Sequence, residues 1–136
     1  YDQAENSFKT CLKLNHNYEP ALFNLAQVYQ NKKLWKKSND MLEKFLKIKG
    51  PNSKAYAAMA WNNMIAGKIK QARLFYEKVL SFQPNHEVAL VNLAIICYRL
   101  GEKEESRSYL ERALELDLSK KESDQLTQLL KELSAP

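Results

Sequence analysis

One property constrains this chain more than any other: it matches itself at a fixed offset of 34 residues, without a gap, from Tyr1 to about Lys120. Leu25, Met59 and Leu93 coincide, as do Ala26, Ala60 and Ala94, and then Tyr29, Asn63 and Cys97. A further column, Ala4, Ser38, Ala72 and Ser106, is small at every step, and its neighbour, Phe8, Leu42, Tyr76 and Leu110, is bulky at every step. Cys11, Phe45, Val79 and Ala113 make a third column, and Leu14, Ile48, Phe82 and Leu116 a fourth. Small residues held in register where two helices cross, with large ones beside them, are what close helix packing requires.

Ser53 to His86 shows one period whole. It reads as a helix over Lys54–Ala66, a break at Gly67-Lys68, a second helix over Ile69–Phe82 and a stop at Pro84-Asn85. Tyr56, Met59, Ala60 and Asn63 fall at i, i+3, i+4 and i+7, and Ala72, Tyr76, Val79 and Leu80 follow the same helical spacing. Each helix therefore has one apolar face. Three glycines and four prolines, placed mainly at helix ends, and the lack of any strand-like run predict an all-α protein.

A 34-residue helix-turn-helix with a small residue late in its first helix, another early in its second and a closing proline resembles the tetratricopeptide repeat. Met59-Ala60, Gly67, Ala72, Val79 and Pro84 stand where that family has its large-small pair, turn glycine, packing residues and proline. The resemblance implies a right-handed α-α superhelix, a solenoid of antiparallel helix pairs. Residues 1–18 would be the second helix of a truncated repeat, 19–52, 53–86 and 87–120 full repeats, and 121–136 a C-terminal capping helix and tail. Departures are few: Lys33 replaces a turn glycine, Pro51 is displaced, Leu118 replaces the last proline, and Ser38 and Ser106 replace alanines.

At the N-terminal end, Ala4, Phe8, Cys11 and Leu12 are expected to pack on the next repeat. The start without methionine and in mid-repeat predicts a piece of a longer protein. After Lys120 the period is lost. Ser119 followed by Glu122 reads as a capping box, and Leu126, Leu129, Leu130 and Leu133 share one face of the helix behind it, with Lys121, Asp124, Gln128 and Lys131 outside.

Residues for chemistry are missing from the pattern. His16 and His86 fall at repeat boundaries without a second ligand at metal spacing. Cys11 and Cys97 lie on apolar helix faces and read as small buried free thiols, which favours a reducing compartment. There is no phosphate-binding glycine loop, no nucleophile elbow and no apolar run long enough to span a bilayer. The expectations are no enzymatic activity, no cofactor, no metal and a cytoplasmic location.

Charge is uneven. Glu19 to His86 carries twelve Lys or Arg against four Asp or Glu, whereas Glu87 to Pro136 carries seven against ten. Lys32, Lys33, Lys36, Lys37, Lys44, Lys47 and Lys49 form a basic run that would suit an acidic partner or RNA, or would simply be a solvated outer face. Scarce arginine and the lack of interleaved aromatics disfavour nucleic acid.

The first helices carry a second apolar stripe: Ala57, Trp61 and Met64 in one, Val91, Ile95 and Tyr98 in another, each at i, i+4 and i+7. A broad exposed apolar patch marks a binding surface, although Trp61 and Ile95 would also serve as packing between adjacent repeats. By the family resemblance, first helices line a concave groove that binds peptides, which puts Phe23, Asn24, Gln27, Lys54, Trp61, Met64, Val91, Asn92, Ile95 and Tyr98 at the groove. The family's carboxylate clamp fits poorly, because Ala58 stands where its arginine is needed. The expected function is a non-catalytic protein-protein interaction module that binds a peptide segment of a partner. The alternatives are an RNA- or acidic-partner-binding repeat and a self-associating scaffold segment.

Overall fold

The computed structural model describes residues 1–134, which contain eight α-helices and no strand. In chain order these are α1 (Asp2–Leu14), α2 (Glu19–Asn31), α3 (Trp35–Lys49), α4 (Ser53–Ile65), α5 (Ile69–Phe82), α6 (Glu87–Arg99), α7 (Lys103–Leu114) and α8 (Lys120–Ser134). They form two compact units, one from Tyr1 to Phe75 and one from Tyr76 onward, divided within α5.

In the first unit α2 packs against both α1 and α3, and α3 packs against α4. Leu22, Ala26, Leu42, Phe45, Ala55 and Met59 form its core, with Leu12, Phe23 and Met41 against the edge. In the second unit α6 packs on α7 and α7 on α8, around Leu90, Ala94, Leu110, Ala113, Leu126 and Leu133. Ala26, Leu42, Phe45, Met59, Ala94, Leu110 and Ala113 among them belong to the columns that recur at 34 residues. Of the small column Ser38, Ala72 and Ser106 have almost no exposure, while Ala4 in α1 is half-buried. The serines have a role that alanine lacks, since Ser38 Oγ donates to the Ala26 carbonyl at 2.8 Å and Ser106 Oγ to the Ala94 carbonyl at 2.7 Å.

The turns inside each helix pair share one geometry. The Leu34 N–H donates to the Tyr29 carbonyl at 2.8 Å and the Lys33 N–H to Gln30 at 2.9 Å. Lys68 and Gly67 repeat this on Asn63 and Met64, and Glu102 and Gly101 repeat it on Cys97 and Tyr98. This double closure satisfies carbonyls at the helix end and needs a left-handed residue at its centre. Gly67 and Gly101 supply it at φ 84° and 80°, and Lys33 is driven to φ 61° in the first turn. The turn therefore keeps its form where the glycine is absent, at the cost of strain in a residue with a Cβ.

Helix starts are capped at related positions. Asn52 accepts the Ala55 N–H at 3.0 Å, and 34 residues later His86 Nδ1 accepts the Ala89 N–H at 3.2 Å. Ser119 Oγ accepts the Glu122 N–H at 3.2 Å, which starts α8 as the capping-box signal predicts. Residues 135–136 of the expected terminal element lie outside the described residues.

Two expectations need correction. Cys11 is exposed, and only Cys97 is a buried thiol. In the fourth column only Leu116 packs against a core; Leu14, Ile48 and Phe82 are exposed, because each lies at the last turn of its helix, beyond the crossing. What fastens α1 is partly ionic. Glu5 accepts Lys9 at 2.8 Å and Lys32 of α2 at 2.6 Å, and Lys32 also reaches Asp2 at 2.9 Å. The Lys32 hydrogen bond, then that of Lys9, holds the Glu5 carboxyl down at about 2.

Lys33→Gly should raise the unfolding free energy by about 1 kcal/mol in chemical denaturation, the left-handed penalty less the extra chain entropy of glycine. Gly101→Ala should lower it by at least as much. Because the Glu5 pKa is depressed on folding, its contribution is complete above the ordinary value of 4.5 and is lost as pH falls toward about 2. Glu5→Gln should therefore lower Tm at neutral pH and lose less Tm than the parent on acidification through that window.

Candidate functional site

In the second unit α6 lies between its buried face and open solvent. Leu90, Leu93, Ala94 and Cys97 point to the core, and the opposite face carries Val91, Ile95 and Tyr98. Val91 and Ile95 are half-buried and Tyr98 is 56% exposed. Ile95 and Tyr98 meet Leu129 and Leu133 of α8, and Leu110 of α7, around a largely apolar cavity of about 260 Å³. Arg99 and Glu132 are the charged groups in its wall. An apolar hollow with a few polar groups at its margin suits an aliphatic or aromatic side chain from a partner.

Asn92, expected at the groove, is 9% exposed and donates its amide to the Tyr76 hydroxyl at 2.9 Å. Burial pushes the Tyr76 phenol up to about 12, with the Asn92 hydrogen bond pulling slightly the other way. Asn92 thus ties α6 to α5 and stands behind the surface that Ile95 and Tyr98 present.

In the first unit the six expected residues spread over α2 and α4. Gln27 and Lys54 are exposed, Asn24 and Met64 half-buried, and Trp61 is 44% exposed. Phe23 is half-buried against Phe45, with ring centroids 5.3 Å apart. Sequence reasoning missed the polar centre beside them. Asn62 has no exposure, donates to Ser38 Oγ at 2.9 Å and Asn39 Oδ1 at 2.8 Å, and accepts from Gln30 at 2.7 Å. Its signal was available: Val28 and Ile96 flank Asn62 in the 34-residue column, so a polar residue stands at an apolar position.

The basic run is less free than its composition suggests. Lys32 is held by Glu5 and Asp2, Lys49 lies 3.6 Å from Glu19, and Lys37 sits over the Tyr29 ring, 5.7 Å from its centroid. Among the described residues no group of three or more His, Cys, Asp or Glu is placed to hold a metal ion, and no helix is long and apolar enough to cross a membrane.

A family model described as tetratricopeptide repeat matches residues 63–130, half of the chain, and a second of the same description matches residues 20–48. The chain belongs to the tetratricopeptide repeat family. No curated protein sequence matches it. Among solved structures, MamA is similar with a TM-score of 0.84 at 19% identity, over 98% of this chain and 73% of that one. YrrB, described as a tetratricopeptide repeat protein with an unusual peptide-binding site, gives 0.76 at 20% identity, over 85% of this chain and 60% of its own. The Yersinia enterocolitica type III secretion translocator chaperone SycD gives 0.76 at 16% identity, over 83% and 81%. At such identities these likenesses establish the all-α tetratricopeptide repeat solenoid fold.

Tyr76→Phe should cost this tetratricopeptide repeat chain about 1–3 kcal/mol, since it leaves a buried amide donor of Asn92 without its partner. The phenol's folded pKa is raised, so its contribution is present below about 10 and is lost as pH rises toward about 12. Denaturation across that alkaline range should show a steeper loss in the parent than in Tyr76→Phe, because the ammonium groups of Lys32 and Lys9, raised by their carboxylate partners, titrate in both.

Proposed function

We propose that this chain is a non-catalytic interaction module that holds a peptide segment of a protein partner against the exposed faces of its first helices. Under this reading residues 19–52, 53–86 and 87–120 act as repeats whose first helices are α2, α4 and α6, and α8 serves as the terminal cap. Membership of the tetratricopeptide repeat family supports the general role, and the peptide-binding site named for YrrB and the chaperone role named for SycD point the same way.

One observation carries the finer reading: Ile95 and Tyr98, placed at i and i+3 on α6, wall an apolar cavity together with α8. A side chain of the partner would fill that cavity, with Arg99 and Glu132 available to its backbone or flanking charges. On the first unit Trp61 offers a separate apolar anchor, with Asn24, Gln27 and Lys54 as polar contacts near it in the expected set. Phe23, Met64, Val91 and Asn92 act in this scheme as the half-buried or buried support of those surfaces.

The test is a peptide-display selection with the intact chain as bait, followed by affinities of the selected peptides for the Tyr98→Ala and Trp61→Ala variants. Peptides seated at these faces should lose about tenfold in affinity, roughly 1.4 kcal/mol, while the variants keep their helicity. If every selected peptide keeps its full affinity for both variants, the proposal is overturned.

A further inference from the structure

The first unit has a cleft lined by other residues than those of the surface proposed above. It lies where α2 is overlain by α1 on one side and α3 on the other, and has a volume of about 340 Å³. Leu22, Leu25 and Tyr29 of α2 form its floor, with Leu12 and Met41 as the half-buried sides. Lys9, Lys13, His16 and Lys44 stand around it. A second hollow of about 290 Å³ shares His16 and Lys44 and adds Lys47 and Ile48.

The charges at this rim are unbalanced. Lys9 is neutralised by Glu5, but no ion pair among the described residues involves Lys13, Lys44 or Lys47. The other carboxylates of these three helices are accounted for elsewhere: Asp2 and Glu5 bind Lys32, Glu19 lies by Lys49, and Asp40 and Glu43 do not line either hollow. Three unpaired ammonium groups beside an apolar floor repel one another and raise the local concentration of anionic groups. An anionic partner with nothing apolar would leave the half-buried Leu12 and Met41 wet, and an apolar one without carboxylates would leave the rim unpaired.

We infer that the α1–α2–α3 cleft of the first unit is a second docking site, for an acidic peptide segment that carries an aliphatic side chain between its carboxylates. The aliphatic group enters between Leu12 and Met41, and the carboxylates meet Lys13, Lys44 and Lys47. Protein is favoured over nucleic acid by the chemistry of the walls. The only aromatic ring in the floor, Tyr29, is 5% exposed, so no face is open for a base to stack on, and the rim has no arginine to fork onto a phosphate. The site is independent of Ile95 and Tyr98, which belong to the second unit.

The probe is a fluorescein-labelled synthetic peptide of Glu and Asp residues interrupted by two leucines, titrated with the intact chain and followed by anisotropy at low and physiological salt. Saturable binding is expected, weakened as the screening length shrinks to about 8 Å at physiological salt. The Lys44→Glu, Lys47→Glu double variant should lose about tenfold in affinity, and the milder Lys13→Gln, Lys44→Gln pair several-fold, both with unchanged circular dichroism. Tyr98→Ala should bind the probe as the parent does, which separates this site from the one proposed for α6. A peptide with serine in place of both leucines should bind several-fold more weakly. Full affinity in the charge-reversed variant, equal binding of the serine peptide, or tighter binding of an oligouridylate than of the acidic probe would each overturn the inference.

Discussion

The close approach of the two helices within each pair is the constraint on which the rest of this structure depends. It is possible only because Ser38, Ala72 and Ser106 are small and fully enclosed. The two serines do more than leave room. Each gives its hydroxyl hydrogen to a carbonyl twelve residues earlier, Ser38 to Ala26 and Ser106 to Ala94, so a buried polar group is satisfied by the helix it touches. With the crossing fixed there, the bulky column one turn later is carried into the core: Leu42 and Leu110 in their units, and Tyr76 with its hydroxyl bound by Asn92. A larger residue in the small column would push the helices apart and undo the turn geometry that joins them.

The position after the small column links one pair to the next. On α1 it is Glu5, which reaches forward to Lys32 at the end of α2; on α3 it is Asn39, which reaches forward to Asn62 of α4. The same place in the repeat thus makes an ion pair in one case and an amide hydrogen bond in the other. The difference lies in the partners. Asn62 is sealed from water and meets neutral groups, whereas Glu5, itself 9% exposed, is matched by the ammonium groups of Lys32 and Lys9. Polar links of this kind add register to a packing that apolar columns alone would leave free to slide.

The 34-residue period made the helices, their turns and most of the core legible before any coordinates, because periodicity reports which face of a helix is buried. Residues 53–86 show it best: the expected Ile69–Phe82 helix has those ends in the structure, and the other begins at Ser53 and ends at Ile65, one residue earlier at each end. Where the reading failed, the cause was local. Periodicity cannot tell a residue at the last turn from one at the crossing, so Leu14 keeps the register of the columns although it is 87% exposed. Nor can it assign partners: the family resemblance places Asn92 at the groove, and only coordinates show its amide donating to the Tyr76 hydroxyl. The lysine run was visible as composition, but only coordinates divide it into Lys32, which is committed to α1, and Lys44 and Lys47, which have no carboxylate.

That division bears on how a repeat fold acquires specificity. The tetratricopeptide repeat scaffold supplies helix faces, and function lies in which side chains those faces leave unpaired. In the second unit the unpaired surface is apolar, Ile95 and Tyr98 beside α8; in the first it is an apolar floor ringed by cations, between α1 and α3. The two hollows share no wall, and the residues that shape each are closed within one unit. If each hollow holds a partner as proposed, affinity for a ligand of one would change by substitution without disturbing the other. The array would then discriminate partners by two unlike chemistries, one that counts apolar contact and hardly feels salt, and one that weakens as salt rises.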